Sequence, residues 1–399
     1  MTDRREPPYE AGRISAARMA VSASFIFFGM ILGLWFVHIP VVVRRLGLEH
    51  AVLGLALLCF SVGAVFGSTG AAWVLDRWGL RRGGTALLVL SCAMLPIAVW
   101  SPVRPVLFII ALILGVLVGA TNVAVNRQAS DVEKARGKPT MSSFHGFFSL
   151  GSLAGSAIGG TLIGWGWGDG HGAGLVEAVT IAAALALARY VLPDVVQARV
   201  AAAPRAPRFI LPAGAVAGLA AMAILSNAAE GAIGDWSALY LATMRGFAEG
   251  TAGTGLVLFA GAMALCRLAG GPVVEKLGEQ TIVCGGGLLV ALGIAIVLLL
   301  PWAEASPFGF ALFALGLSNI APVLYGAGSR LPGVEPTVGI ASISTAQLGG
   351  LLVAPPIIGF VAQSFGLAVA LGLLILAGLG VAFLATRERW TPRAATVTA

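Results

Sequence analysis

The sequence predicts an all-α membrane protein in which twelve transmembrane helices form two pseudo-symmetric bundles of six. Three observations predict it. Of 399 residues, 58% are hydrophobic and only 11% are charged, where a soluble domain carries about a quarter charged residues. Apolar runs of about 20 residues, long enough to cross a hydrocarbon core of about 30 Å, recur along the whole chain. A polar motif between two of those runs returns about half a chain length later, the mark of an internal duplication.

The runs fall at approximately 19–43, 51–74, 83–100, 106–126, 142–164, 174–192, 210–243, 252–274, 281–300, 308–327, 338–362 and 366–385. They are read as helices, because backbone polar groups in lipid must be satisfied within their own segment. The first run is too long for a cleavable signal peptide. Residues 193–209, dominated by proline, alanine and arginine, divide the chain into 1–192, a linker, and 210–399.

The net charge of +7 encodes orientation rather than a nucleic-acid partner. With both termini in the cytoplasm, the inner segments collect Arg4, Arg5, Arg13, Arg18, Arg77, Arg81, Arg82 and the bases of the linker and tail. The outer loops receive only Arg44, Arg45, Arg104 and Arg245. That asymmetry is the positive-inside rule. Cys59, Cys92, Cys266 and Cys284 lie inside spans with no metal or disulfide spacing, and buried thiols are expected.

Along the chain, Trp35 in the first span is either a stacking surface for a ring-shaped ligand or an interfacial anchor. His38 near the outer mouth is either a titrating group or a solvated interfacial residue. Between spans two and three stand Asp76, Arg77, Gly79 and Arg81; Glu275, Lys276 and Gly278 follow the first three at a spacing of 199. An acid, a base and a glycine repeated at corresponding turns suggest a latch between helix ends, where dipoles select charge.

Spans four and ten repeat a glycine three residues before an asparagine, Gly119–Asn122 and Gly316–Asn319. An amide in a span needs either a neighbouring helix or a wet cavity, and Pro322, with Tyr325 beyond it, adds freed carbonyl groups. In span five, Gly151, Gly155, Gly159 and Gly160 give one helix face small enough for close packing, and for rocking. Span eleven has a comparable surface, with a bend expected at Pro355 and Pro356. Glu177 is placed at the outer interface. Trp100, Trp165, Trp167 and Trp302 form an outer aromatic belt.

The seventh span carries the densest chemistry: Asn227, Glu230, Asp235 and Trp236. A carboxylate in a span costs several kcal/mol unless neutral, paired or wet, so Glu230 and Asp235 are proton-coupling candidates. Asn227 and Glu230, three apart, share a face. Gly231 and Gly234 suggest a local bend or unwinding. Arg267, in span eight, is the intramembrane base, or else snorkels to the surface.

These features together resemble the major facilitator superfamily. Its motif Gly-x-Leu-Ala-Asp-Arg-x-Gly-Arg-Lys is matched at Asp76, Arg77, Gly79 and Arg81 and departs at Ala72 and Leu80; the second copy keeps Gly271 and substitutes Glu275. The stretches Val125–Gly155 and Glu230–Leu241 are similar to the YbjJ-like bacterial branch grouped with fucose permease. The resemblance implies two bundles rocking about a central cavity in the bacterial inner membrane, as a monomer. It also implies a proton-coupled carrier for a sugar, polyol or related small molecule. That branch couples through acids in spans one and four, which are absent here, so coupling would move to Glu230, Asp235 or a histidine. Asn122, Asn227, Asn319, Tyr325, Trp35 and Trp236 are then the cavity candidates.

The span-five glycines, with Ser156 in place of proline, also resemble an antiporter motif, which keeps efflux of amphipathic compounds open. A non-transporting sensor is the third reading. An enzyme is not expected, because no nucleophile–base set, metal spacing or phosphate loop is present, and no cofactor is implied.

Overall fold

Among the described residues, six helices end at a glycine, at 47, 79, 137, 253, 278 and 366. The computed structural model describes residues 10–138, 140–193, 214–388 and 390, with only the backbone at 268–271. Its helices in the first half are α1 (Ala11–Leu46), α2 (His50–Trp78), α3 (Leu80–Val99), α4 (Arg104–Arg136), α5 (Met141–Gly164) and α6 (His171–Ala188). The second half has α7 (Ala217–Met244), α8 (Glu249–Ala252), α9 (Thr254–Leu277), α10 (Glu279–Leu299), α11 (Ala305–Leu317), α12 (Ile320–Gly328), α13 (Pro336–Phe365) and α14 (Leu367–Arg387). Among the described residues, twelve stretches are long and apolar enough to cross a membrane; α8 with α9, and α11 with α12, each make one span. The linker expected at 193–209 lies, apart from Pro193, outside the described residues.

Successive spans run in opposite directions, so the connections fall at two ends. The terminal end carries the start of α1, the turns α2–α3, α4–α5, α9–α10 and α12–α13, and the end of α14. The far end carries the connections α1–α2, α3–α4, α5–α6, α7–α8, α10–α11 and α13–α14. Two of the terminal turns are single residues: Gly79 (φ 79°, ψ 157°) and Gly278 (φ 82°, ψ 154°). Positive φ with extended ψ is open to glycine alone at little cost, so the sequence repeat is also a backbone repeat.

Within each half the packing is close. α1 lies along α5, and α2 along α4, while α10 packs on α11 and α14, and α7 on α13. Lipid tails are as apolar as leucine, so helices associate through van der Waals contact and need small residues where backbones meet. Gly155 meets this need: a Cβ there would lie 2.5 Å from the Met30 carbonyl oxygen, and one at Gly151 would overlap that of Ile26. Beside this seam, Phe25 stacks on Phe144 with centroids 5.4 Å apart, both rings buried. The halves meet chiefly along α2–α13 and α5–α9.

Several local expectations are corrected. α4 does not end near residue 126; it runs to Arg136, because good helix formers continue until Gly137 adopts φ 61°. α7 is unbroken through Gly231 and Gly234, and Gly234 instead makes room for the Phe36 ring. α13 likewise continues through Pro355 and Pro356 as one helix. The tenth span breaks at Ser318 and Asn319, where Pro322 in the first turn of α12 cannot donate to the Ser318 carbonyl.

Glu177 is not interfacial but 1% exposed, beside the Cys92 thiol of α3. His38 is not solvated: it is buried, and its Nδ1 donates to the Leu34 carbonyl at 2.7 Å. Trp100, Trp165, Trp167 and Trp302 are exposed at the far end.

Candidate functional site

Polar side chains set on otherwise apolar helices converge where the two halves separate. A cavity of about 670 Å³ extends from mid-bundle toward the terminal end. α7 brings Asn227 and Glu230 into its wall, α9 brings Arg267, and α4 brings Asn122 and Asn126. Ser142 and His145 come from α5, Asn319 and Tyr325 from the broken tenth span, and Gln347 from α13. The break at Asn319 lets one span present both an amide and, further along, a phenol.

The wall is partly cross-linked. The Asn227 amide donates to the Gln347 backbone carbonyl at 2.7 Å, and the Tyr325 hydroxyl donates to Gln347 Oε1 at 2.8 Å. Ser344 in turn donates to the Tyr325 oxygen at 3.3 Å. Asn126 donates to the side-chain and backbone oxygens of Asn122, each at 2.8 Å. These bonds use one end of each amide and leave Gln347 Nε2, Asn227 Oδ1 and Asn126 Oδ1 for a ligand.

One acid and one arginine share the cavity. Arg267 Nη2 lies 3.3 Å from Glu230 Oε1, with side chains 19% and 36% exposed, and Arg267 Nη1 lies 3.5 Å from Ser149 Oγ on α5. Ser142 Oγ also donates to the Arg267 carbonyl at 3.2 Å. Arg267 therefore stays inside the bundle rather than snorkelling, and it touches both halves.

The far end is closed by contacts between halves. Arg44 pairs with Glu249 at 2.8 Å, and His50 stacks on Trp236 with centroids 6.3 Å apart. A Cβ at Gly250 would lie 2.6 Å from the Gly164 Cα, and one at Gly359 would lie 2.9 Å from the Gly54 Cα.

Of the residues singled out from sequence, Asn122, Asn227, Glu230, Arg267, Asn319 and Tyr325 come together in this cavity. Trp35 lies apart, buried and stacked on Phe60. Trp236 is fully buried in the far-end closure, and Asp235 beside it does not line the cavity. Asn126, Ser142, His145 and Gln347 are additions that sequence reasoning missed. Asp76 pairs with Arg127 of its own half at 3.7 Å, and Arg81 Nε donates to the Ala188 carbonyl at 2.9 Å. Arg77, Glu275 and Lys276 are exposed at the terminal end, and the close ion pair there joins Glu279 to Arg330 at 2.6 Å.

Comparison with known proteins agrees with this architecture. The Major Facilitator Superfamily family model matches residues 19–335. An uncharacterized MFS-type transporter of Yersinia pestis is 33% identical over 366 residues, covering 92% of this chain and 94% of the relative. Membrane protein MosC of Rhizobium meliloti is 29% identical over 366 residues, covering 91% and 88%. Among solved structures, the nucleoside transporter NupG superposes with a TM-score of 0.69 at 14% identity, covering 94% and 98%. A bacterial homolog of the human lysosomal transporter Spinster, inward-facing and occupied, gives 0.73 at 15%, covering 96% and 100%. At those identities the superpositions speak to fold alone. The sequence match and the twelve-span fold together place the chain in the major facilitator superfamily, as a multi-pass membrane transporter.

Proposed function

We propose that this chain carries a small hydroxylated solute, a sugar, polyol or related metabolite, across the bacterial inner membrane by proton-coupled alternating access. It does so as a monomer, within the branch grouped with fucose permease. The observation that carries the reading is Glu230, the acid of a cavity whose wall holds five amides and a tyrosine. Amides offer donor and acceptor together and so match hydroxyl groups, whereas amphipathic cargo favours an apolar or aromatic wall.

With the terminal end cytoplasmic, as the distribution of arginines favours, the cavity here faces the cytoplasm and the far-end contacts form the outer seal. Transport then requires the halves to rock. The Arg44–Glu249, Gly164–Gly250 and Gly54–Gly359 contacts part, and the terminal end closes over the solute. Asp76, Arg77, Gly79, Arg81, Glu275, Lys276 and Gly278 hold the terminal turns through which that closure passes. Glu230 exchanges its proton with whichever side the cavity faces. A proton crossing one pH unit supplies about 1.4 kcal/mol, enough for a tenfold solute gradient.

The test is uptake into proteoliposomes of labelled hydroxylated solutes, with and without an imposed pH gradient, for wild type and Glu230→Gln. Accumulation that needs the gradient in wild type, with Glu230→Gln limited to solute exchange, is expected. Gradient-driven accumulation that is equal in both proteins removes Glu230 from the coupling role.

A further inference from the structure

Granted a coupling proton at Glu230, the ion pair in the cavity selects among classes of solute. Arg267 has five N–H donors, and its two side-chain contacts, to Glu230 at 3.3 Å and Ser149 at 3.5 Å, are long. The pair has one contact between Nη2 and Oε1, not the two parallel bonds that a guanidinium and a carboxylate can form. Among the described residues, Arg267 thus lines the cavity with most of its donors uncommitted. Arginine keeps its charge at any physiological pH, whereas a carboxyl can take a proton.

Charge balance then separates three solutes. An amine would dock on Glu230 and leave the Arg267 guanidinium unpaired inside the membrane, a costly state. A neutral polyol would leave the Glu230–Arg267 pair intact, giving Glu230 no reason to change its proton in step with the solute. A carboxylate would take Arg267, free Glu230, and let a proton neutralise it. Only this third arrangement leaves no unpaired charge and ties proton to solute.

We propose that the cavity binds a hydroxylated carboxylate, of the sugar-acid class, whose carboxylate displaces Glu230 from Arg267 while the displaced Glu230 takes up the proton. One proton adds to one Glu230 oxygen; no covalent bond of the solute changes and no electron moves. The titratable groups that share the cavity wall with Glu230 are Arg267 from α9, which contacts it, His145 from α5 and Tyr325 from α12, with the uncharged Asn122 of α4 and Gln347 of α13. His145 is therefore the other group on which a proton can ride. Solute anion and proton together carry no charge, so uptake is electroneutral.

The experiment uses the full chain in proteoliposomes and nanodiscs with D-glucuronate, D-glucose and D-glucosamine; the acid and the amine each differ from glucose at one substituent. Under an inward pH gradient glucuronate is expected to accumulate without current, with glucose and glucosamine at least tenfold weaker. Binding in weakly buffered nanodiscs should take up about one proton per glucuronate in wild type and in His145→Gln, and none in Glu230→Gln. Arg267→Gln should lose the preference for the acid. Arg267→Lys, which keeps the charge, controls for folding and should retain the preference with weaker binding.

Glucose accumulating as well as glucuronate, with inward current, overturns the inference and leaves proton-coupled transport standing. Preference for glucosamine overturns it too, since Glu230 would then be the docking group. Absence of saturable glucuronate binding does the same, as does loss of proton uptake in His145→Gln rather than Glu230→Gln. Saturable, proton-linked binding without gradient-driven uptake upholds the acid subsite and refutes the transport reading instead.

Discussion

Arg44 Nε meets Glu249 Oε1 at 2.8 Å, so a residue at the end of α1 holds the start of α8 across the boundary between halves. The arginine is 71% exposed. An ion pair so wet contributes about 0–1 kcal/mol, less than a factor of ten in a conformational equilibrium. Arg44→Glu or Glu249→Arg is therefore expected to open the far end severalfold, not to unlock it outright. The double reversal should return accessibility of far-end cysteine reporters to the wild-type level. Equal labelling in all four proteins would remove this pair from the far-end seal.

The glycine crossings should matter more. A Cβ at Gly359 would lie 2.8 Å from the His50 carbonyl and 2.9 Å from the Gly54 Cα, both backbone atoms with no rotamer to yield. Forcing extra carbons into a packed site costs about 1–3 kcal/mol, and here parting the halves relieves it. Gly359→Val is expected to raise far-end accessibility by tenfold or more while the thermal midpoint moves little. A collapsed midpoint with unchanged accessibility would make this contact structural only.

Asp76 faces Arg127 on α4 at 3.7 Å, with both side chains half or more exposed. Asp76→Asn is expected to change the balance of accessibility between the two ends while solute binding persists. Unchanged labelling at both ends would leave the terminal turn without a part in gating.

Tyr325 joins Gln347 and Ser344 through one hydroxyl. Tyr325→Phe removes those bonds while retaining the ring, and a hydrogen bond of this kind is worth about 0.5–1.5 kcal/mol. Solute affinity should fall by about two- to tenfold, with the thermal midpoint within a degree or two of wild type. An unaltered dissociation constant would count against Gln347 as a contact oriented by Tyr325.

The fold was legible because length and apolarity fix a span whatever its neighbours, and because the glycine turns at 79 and 278 repeat. Asn122, Asn227, Glu230, Arg267 and Asn319 could be found because each is a polar group in an otherwise apolar run. Which face of a run looks inward was not legible. These helices are apolar nearly all round, so hydrophobic periodicity does not single out a buried stripe. Trp35 and Trp236, chosen for their size, proved to be packed away from the cavity for that reason. Asn126 and His145 were missed for a different one: each sits at the margin of an expected span, where a polar residue reads as the start of a loop. Gln347 was hidden among small residues whose packing gave the simpler explanation.

The end of α4 and the start of α5 are fastened by one carboxylate: Glu133 Oε2 accepts from the backbone N–H groups of Thr140 at 2.5 Å and Met141 at 2.7 Å. An acid at a helix N-terminus satisfies donors that the helix itself cannot. The two helices that carry Asn122, Asn126, Ser142 and His145 are thereby pinned at one corner, like two leaves of a folded sheet. The α4–α5 side of the cavity wall can then swing as a unit, its amide, hydroxyl and imidazole groups keeping their spacing. A bound molecule would be handed from one side to the other without being let go by that wall.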